Sequence, residues 1–255
     1  MKKLENIKGF LLDIDGVLYV GDNVIEGAIE AVDYLKRHYK VAFITNTTTK
    51  TRKMITQKLN KMGFDVKEDE IFSALEAVKQ FLKSQNSGAY LLLKDQVMSE
   101  FEDIPKEPVK YVVVGDAREN FNYENLNKAF RYVFHGAELI AAAKNKYFKD
   151  VDGDLSLDCG AFVEGLEYAT DKKAKIIGKP NKEFFHLAVK KLGFKPEEVA
   201  VIGDDIESDV KGAMDAGLMG ILVKTGKFTP KDLERGIKPD LIIDSIADII
   251  KFLEN

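Results

Sequence analysis

Phe10-Leu11-Leu12-Asp13-Ile14-Asp15-Gly16-Val17-Leu18 is the stretch whose reading decides the rest of the chain. Residues 10–12 form a short apolar run of the kind a buried strand shows. The run ends in two carboxylates two residues apart, and Gly16 then permits a sharp turn. Open α/β sheets bind ligands beyond the carboxyl ends of their strands, where the loops emerge. Two acids at that point do little for stability and suit chemistry. Alone, Asp-x-Asp also reads as a solvated acidic loop, so the weight falls on what surrounds it.

Working outward, strand patterns alternate with helical ones, which predicts a parallel sheet covered on both faces. Ile25, Ala28, Ile29, Val32 and Leu35 recur at helical spacing and predict a helix ending near His38. Residues 41–44 predict a second strand, followed by the polar run 45–49. A helix over 51–62 then stops at Gly63. The middle of the chain has its own rhythm. Strands are predicted at 89–93, 111–114 and 139–143, with a helix over 126–134, two prolines at 105 and 108, and a turn at 152–154. This stretch predicts an inserted domain over 79–172, with the core made of 1–78 plus 173–255. The first pattern resumes with a core strand at 174–177. Asn181 caps a helix carrying Phe184, Leu187, Ala188 and Leu192, stopped by Gly193. Further strands are predicted at 199–202, 220–223 and 241–243, with helices through Val210, Ala213 and Met214 and over 246–253. The fold class is α/β: a Rossmann-like doubly wound parallel sheet with an inserted smaller α/β cap domain.

Composition narrows the classes. With 255 residues, the chain can hold one large domain or two ordinary ones. At 45% hydrophobic and 31% charged it matches a globular protein rather than a disordered one. A net charge of −4 with no basic stripe argues against a nucleic-acid partner. Cys159 is the single cysteine, which excludes an internal disulfide and a multi-cysteine zinc site. No apolar run approaches the roughly 18 residues of a membrane span, and Met1-Lys2-Lys3 leads into the first strand with no signal-peptide core. The expectation is a cytoplasmic protein with no membrane partner.

Four groups fall at predicted strand ends: Asp13/Asp15, Thr45/Asn46, Lys179, and Asp204/Asp205/Asp209. If those strands lie side by side, their loops converge. Several carboxylates in one pocket repel one another unless a cation sits among them. Oxygen-only donors suit Mg²⁺ better than zinc. A lysine and a hydroxyl-plus-amide loop add donors for an anionic oxygen group, and together these parts describe a site for phosphoryl transfer.

The order Asp-x-Asp-Gly-Val, Thr-Asn, Gly-Lys-Pro, Gly-Asp-Asp-x-x-x-Asp resembles the haloacid dehalogenase superfamily. An insertion between the second and third motifs resembles its C2-capped subfamily, the NagD-like and 4-nitrophenylphosphatase-like enzymes. Residues 125–130, 166–170 and 223–227 look like one branch of it, the one holding haloacid dehalogenase-like hydrolase domain-containing protein 2 and phospholysine phosphohistidine inorganic pyrophosphate phosphatase. Those two animal proteins carry a small polar residue where this chain has Asp15.

The resemblance implies an Mg²⁺-dependent phosphatase acting on a small phosphorylated metabolite through an aspartyl-phosphate. It implies Asp13 as nucleophile and Asp15 as general acid/base whose backbone carbonyl also binds metal. Thr45 and the Asn46 N–H would hold phosphoryl oxygens, Lys179 would neutralise charge, and Asp204 would ligate the metal with Asp205 and Asp209 behind it. The core motifs recognise only phosphate and metal. Selection among leaving groups is therefore expected from the inserted domain, at Asp116 and Arg118, which read equally as a local surface ion pair. Homo-oligomerisation through the cap stays open.

Each motif also has a bland reading. The threonine run can be a helix start, Lys179 a surface lysine, and the 204–209 run an acidic first helix turn favoured by the macrodipole. Their joint order argues against coincidence. His38, His135, His186 and Cys159 read as structural. A phosphomutase shares the aspartyl-phosphate and is the alternative enzyme; a catalytically silent Mg²⁺/phosphate-binding regulator is the alternative outside enzymes.

Overall fold

A computed structural model describes residues 4–149 and 154–254. The chain forms two compact units. One comprises Met1–Thr45, Arg52–Phe72 and Lys179–Asn255, and the other Asn46–Thr51 and Ser73–Gly178.

The first unit is built on a six-stranded sheet whose first five strands, in the order that follows, pair in parallel. Its order across the sheet is Leu241–Ile243, Met219–Val223, Val199–Gly203, Gly9–Asp13, Lys40–Thr45 and Ile71–Ser73. The Gly9–Asp13, Val199–Gly203 and Met219–Val223 strands are buried along their whole length, as strands covered on both faces must be. Phe10, Leu12, Phe43, Ile202 and Ile221 belong to one apolar cluster with Val32 and Leu35 of the Ala28–His38 helix. Fully burying one such side chain stabilises the fold by roughly 1.5–3 kcal/mol. The Lys182–Leu192 helix starts as the sequence predicts, with Asn181 Oδ1 accepting from the Glu183 N–H at 2.8 Å. It stops at Gly193, whose φ of 80° favours glycine.

The second unit carries a four-stranded sheet in the order Lys175–Ile176, Glu138–Ala141, Val109–Val114 and Gly88–Leu92. The Tyr123–Phe134 and Gly160–Thr170 helices contribute Ala129, Val133, Val163 and Leu166 to its core. Cys159 is a packing residue there, its Sγ donating to the Ala143 carbonyl at 3.2 Å.

Three differences from the sequence reading have physical causes. The strand expected in the core at 174–177 pairs instead with Glu138–Ala141, through Lys175↔Ile140 and Ile176↔Ala141. It is an edge strand, with Lys175 exposed and Ile176 half-buried, and so short a run does not show which sheet it joins. The Ile71–Ser73 strand and the hairpins Tyr19–Val20/Asn23–Val24 and Tyr147–Lys149/Leu155–Leu157 have two or three residues per strand, too few to carry a period. The helix expected through Val210 opens as a π-helix over Ile206–Lys211, with the Val210 N–H reaching back to the Asp205 carbonyl at 3.2 Å. Of the predicted turn at 152–154, residues 152 and 153 lie outside the described residues. Among the described residues no helix is long and apolar enough to cross a membrane.

Candidate active site

Asp13 ends the strand at which the chain's direction of travel across the sheet reverses. Lys40–Thr45 follows on one side, and Val199–Gly203 arrives later on the other. Doubly wound sheets open a crevice at such a switch point. Register fixes who meets there. Asp13 lies beside Ile44, and Leu12 beside both Phe43 and Ile202. Thr45 therefore ends one neighbour at the level just past Asp13, and Asp204 follows the other.

Asp13, Thr45, Lys179, Asp204 and Asp209 are all buried. Lys179 Nζ donates to Asp13 Oδ1 at 2.8 Å and to Asp209 Oδ1 at 2.6 Å. Burial opposes the ammonium charge, but the two carboxylates outweigh it and hold the Lys179 pKa above its ordinary value. One oxygen each from Asp13, Asp204 and Asp209 lies within 4.8 Å of the others. Burial, and then the neighbouring acids, raise the pKa values of Asp204 and Asp209 well above the usual carboxylate range. Asp13, Asp204, Asp205 and Asp209 face two ammonium groups, Lys179 and the more distant Lys227, so the cluster is short of positive charge.

Asp204 shows where that charge belongs. Its Oδ2 accepts from the Lys227 backbone N–H at 2.7 Å. Its Oδ1 is buried and has no hydrogen-bond partner among the described residues. A buried carboxylate oxygen left bare costs about 1–3 kcal/mol or more, and the other donors around it are oxygens. The set fits a small hard cation.

Asp205 does a different job. Its Oδ1 accepts from the Glu207 and Ser208 N–H groups at 3.0 and 2.9 Å, capping the π-helix. Those bonds and the Lys227 charge overcome burial and lower its pKa. Asp209 is the acid turned toward Asp13, and its Oδ2 also accepts from the Asp205 N–H at 3.2 Å. The Asp15 carboxylate is not part of the three-acid group; its Oδ2 accepts from the Tyr19 hydroxyl at 3.2 Å. Burial and that contact raise the Tyr19 pKa, so the hydroxyl keeps its proton and donates.

Asn46 belongs to the second unit, where its Oδ1 lies against Gly178; a Cβ at Gly178 would come within 2.7 Å of it. Asp116 and Arg118 do pair with each other, Nε to Oδ2 at 3.1 Å, and the guanidinium lies over the Phe148 ring at 4.5 Å. Arg118 adopts a φ of 48°, unusual for a residue with a side chain. Burial raises the Asp116 pKa against the pull of Arg118. His186 Nε2 lies 2.9 Å from the Ala216 carbonyl, a structural contact.

Sequence reasoning gave no site role to Tyr19, Thr48 or the Thr225-Gly226-Lys227 loop, the last noted only within the resemblance at 223–227. Thr48 Oγ1 accepts from the Asp116 N–H at 2.8 Å, an anchoring contact inside the second unit that its polar run did not suggest. Tyr19 stands four residues beyond Asp15 and ends an apolar pair, which reads as core. Lys227 gives Asp204 a backbone N–H, which leaves no mark in the residue type, and adds the charge of its side chain.

Comparisons with known proteins bear on the fold and the family. The family model described as haloacid dehalogenase-like hydrolase matches residues 10–105, and the one described as HAD-hydrolase-like matches 176–249. The chain is 44% identical over 230 residues to haloacid dehalogenase-like hydrolase domain-containing protein 2 of Pongo abelii, covering 90% of this chain and 88% of that one. It is 40% identical over 260 residues to the human phospholysine phosphohistidine inorganic pyrophosphate phosphatase, covering 99% and 96%. Among solved structures it resembles 4-nitrophenylphosphatase from Thermotoga maritima with a TM-score of 0.90 at 30% identity, over 97% of this chain and 98% of that one. NagD from E. coli follows the same fold with a TM-score of 0.87 at 26% identity, over 95% and 98%. With its three acids and lysine gathered at the switch point of the sheet, the chain belongs to the haloacid dehalogenase-like hydrolases.

Proposed function

We propose that the protein is an Mg²⁺-dependent phosphatase that hydrolyses small-molecule phosphate monoesters through an aspartyl-phosphate on Asp13. The observation that carries the reading is the buried Asp13–Lys179–Asp209 bridge beside an Asp204 oxygen with no protein partner. Asp13, Asp204 and Asp209 would hold the metal together with the Asp15 backbone carbonyl. When bound, the cation supplies positive charge that offsets repulsion between the acids and an incoming phosphate dianion.

Lys179 engages Asp13 Oδ1, which leaves Oδ2 as the attacking oxygen. Oδ2 forms a bond to phosphorus while the bond from phosphorus to the leaving oxygen breaks, and Asp15 gives that oxygen a proton. Asp15, now a carboxylate, takes a proton from water as the water oxygen attacks phosphorus. The Asp13–phosphorus bond breaks and inorganic phosphate leaves. Tyr19 steadies Asp15 through its hydroxyl. Thr45 and the Asn46 N–H bind phosphoryl oxygens, and Lys179 stabilises the charge that builds on them.

These groups handle phosphate and metal and cannot tell one alcohol from another. We assign that choice to the second unit, at Asp116 and Arg118, whose mutual ion pair and stacking on Phe148 keep the guanidinium in one orientation. The deciding experiment measures inorganic phosphate released from 4-nitrophenyl phosphate with Mg²⁺, then from a panel of phosphorylated metabolites. Absence of phosphate release from all of them by folded protein defeats the reading.

A further inference from the structure

The loop after the Met219–Val223 strand makes three contacts around one carboxylate. Lys227 donates its backbone N–H to Asp204 Oδ2 at 2.7 Å. Thr225 Oγ1 donates to the Gly16 carbonyl, joining this loop to the turn that follows Asp15. Gly226 sits between them with a φ of 65°, and Gly16 faces it with a φ of 86°. A Cβ on either glycine would overlap Asp204 Oδ2, and one on Gly16 would also lie 3.1 Å from the Gly226 Cα. Two glycine α-carbons and an amide therefore enclose the same oxygen from different sides. The other oxygen, Oδ1, is buried and bare.

This arrangement limits what Asp204 can do. A carboxylate can bind a cation through one oxygen or both. Here Oδ2 is held by an amide and walled in by backbone, so a cation reaches Oδ1 alone. Ca²⁺ takes six to eight oxygens, often with both oxygens of one carboxylate, whereas Mg²⁺ takes six single oxygens at about 2.0–2.1 Å. An acid restricted to one oxygen favours the smaller ion.

We propose that Thr225-Gly226-Lys227 is a positioning clamp that makes Asp204 a one-oxygen metal donor and so selects Mg²⁺ over Ca²⁺. The inference rests on the proposed metal site, and the test separates the two. Thr225 ties the loop to the Gly16 turn, Gly226 allows the close approach, and the Lys227 amide fixes the carboxylate's rotation. None of the three touches substrate; they act through Asp204.

The test titrates metal-free, full-length protein with MgCl₂ and with CaCl₂ by calorimetry, with no substrate present. Gly226→Ala, Thr225→Val, Thr225→Ser and Asp204→Asn are compared with the unchanged protein, and circular dichroism reports folding. Gly226→Ala is expected to weaken Mg²⁺ binding about tenfold or more, the usual effect of losing a residue that orients a ligand. Ca²⁺ binding should change less, so the preference for Mg²⁺ narrows. Thr225→Val should move the same way by a smaller factor, and Thr225→Ser, which keeps the hydroxyl, should restore it. If Gly226→Ala fails to fold, the Thr225 pair carries the test. An unchanged Mg²⁺-to-Ca²⁺ ratio in folded Gly226→Ala overturns the clamp, as does Thr225→Ser behaving like Thr225→Val. Asp204→Asn binding Mg²⁺ as the unchanged protein does would instead remove the metal site itself.

Discussion

Lys179→Met replaces a buried ammonium with a neutral side chain of similar length. The ammonium lies 2.8 Å from one carboxylate and 2.6 Å from another. At an effective dielectric near 20, each contact is worth about 6 kcal/mol before desolvation. Burial of all three groups offsets most of that, and breaking a buried pair costs about 3–5 kcal/mol net because the partner charge is left alone. For a chain of this size that corresponds to a loss of roughly 6–20 °C in melting temperature. The pH dependence is more diagnostic. Asp204 and Asp209 are raised from 3.8 to about 7 and about 6 in the folded protein. A carboxyl raised in this way holds its proton in the fold where the unfolded chain has lost it. Folding then takes up protons between about pH 4 and 7, and stability falls as pH rises through that window. Removing Lys179 pushes Asp209 higher still, since the ammonium is the charge that lowers it. The loss should therefore be largest near pH 8 and shrink toward pH 5, where the acids neutralise themselves. Thermal melts of both proteins in EDTA from pH 5 to 8 test this, and kcat/KM at pH 7 should fall by at least about 100-fold, or roughly 2.7 kcal/mol. A melting difference that is equal at pH 5 and pH 8 would refute the reasoning.

Asp13→Asn should abolish turnover with the fold intact, while Asp15→Asn should slow both steps and let phosphoenzyme accumulate in acid-quenched samples. Near-normal rates in Asp13→Asn would make a water, not Asp13, the nucleophile. Chelation by EDTA should remove activity, and added Mg²⁺ should restore it better than Ca²⁺, read as initial rates on 4-nitrophenyl phosphate. Arg118→Ala should lower kcat/KM about tenfold, or about 1.4 kcal/mol, on the best natural substrate and less on 4-nitrophenyl phosphate; equal effects return Arg118 to a structural role. In the second unit, Glu167 accepts from the Ala174 N–H at 2.9 Å and from Lys144 and Lys173 at 3.0 Å each. Against its burial these contacts lower its pKa to about 2, so its contribution is present above pH 4.5 and lost as pH falls toward 2. Glu167→Gln should cost about 1.5–3 kcal/mol in denaturant titrations at pH 7, less at pH 3 and little at pH 2.

What could be read without coordinates follows from which interactions write themselves into residue type. The Gly9–Asp13 strand was legible because burial on both faces demands an apolar run, and Asp13 because an acid ending such a run has no structural use. The same logic misplaced residues 174–177. That run lies at a sheet edge, Lys175 exposed and Ile176 half-buried, and only pairing partners separate one sheet from the other. Lys179 was found for its place in a motif, although the strand before it belongs to the second unit's sheet.

The acids after Val199–Gly203 mark the sharper boundary. Asp204, Asp205 and Asp209 are one residue type, and sequence left open which of them turn inward. The π-helix separates them. Its wider turn lets Asp209 reach Lys179 while Asp205 caps the Glu207 and Ser208 amides. A hydrogen-bonding pattern shifted by one residue is a backbone property with no residue signature of its own.

Lys227 carries this furthest, since the hydrogen bond it gives Asp204 comes from an amide that nearly every residue type possesses. The one trace such a contact leaves is negative: a glycine where a side chain would collide. Gly16 was noticed for its turn and Gly226 only as part of a resemblance. Both are required by the same oxygen atom, so what holds Asp204 in place is legible in sequence chiefly as two absent side chains.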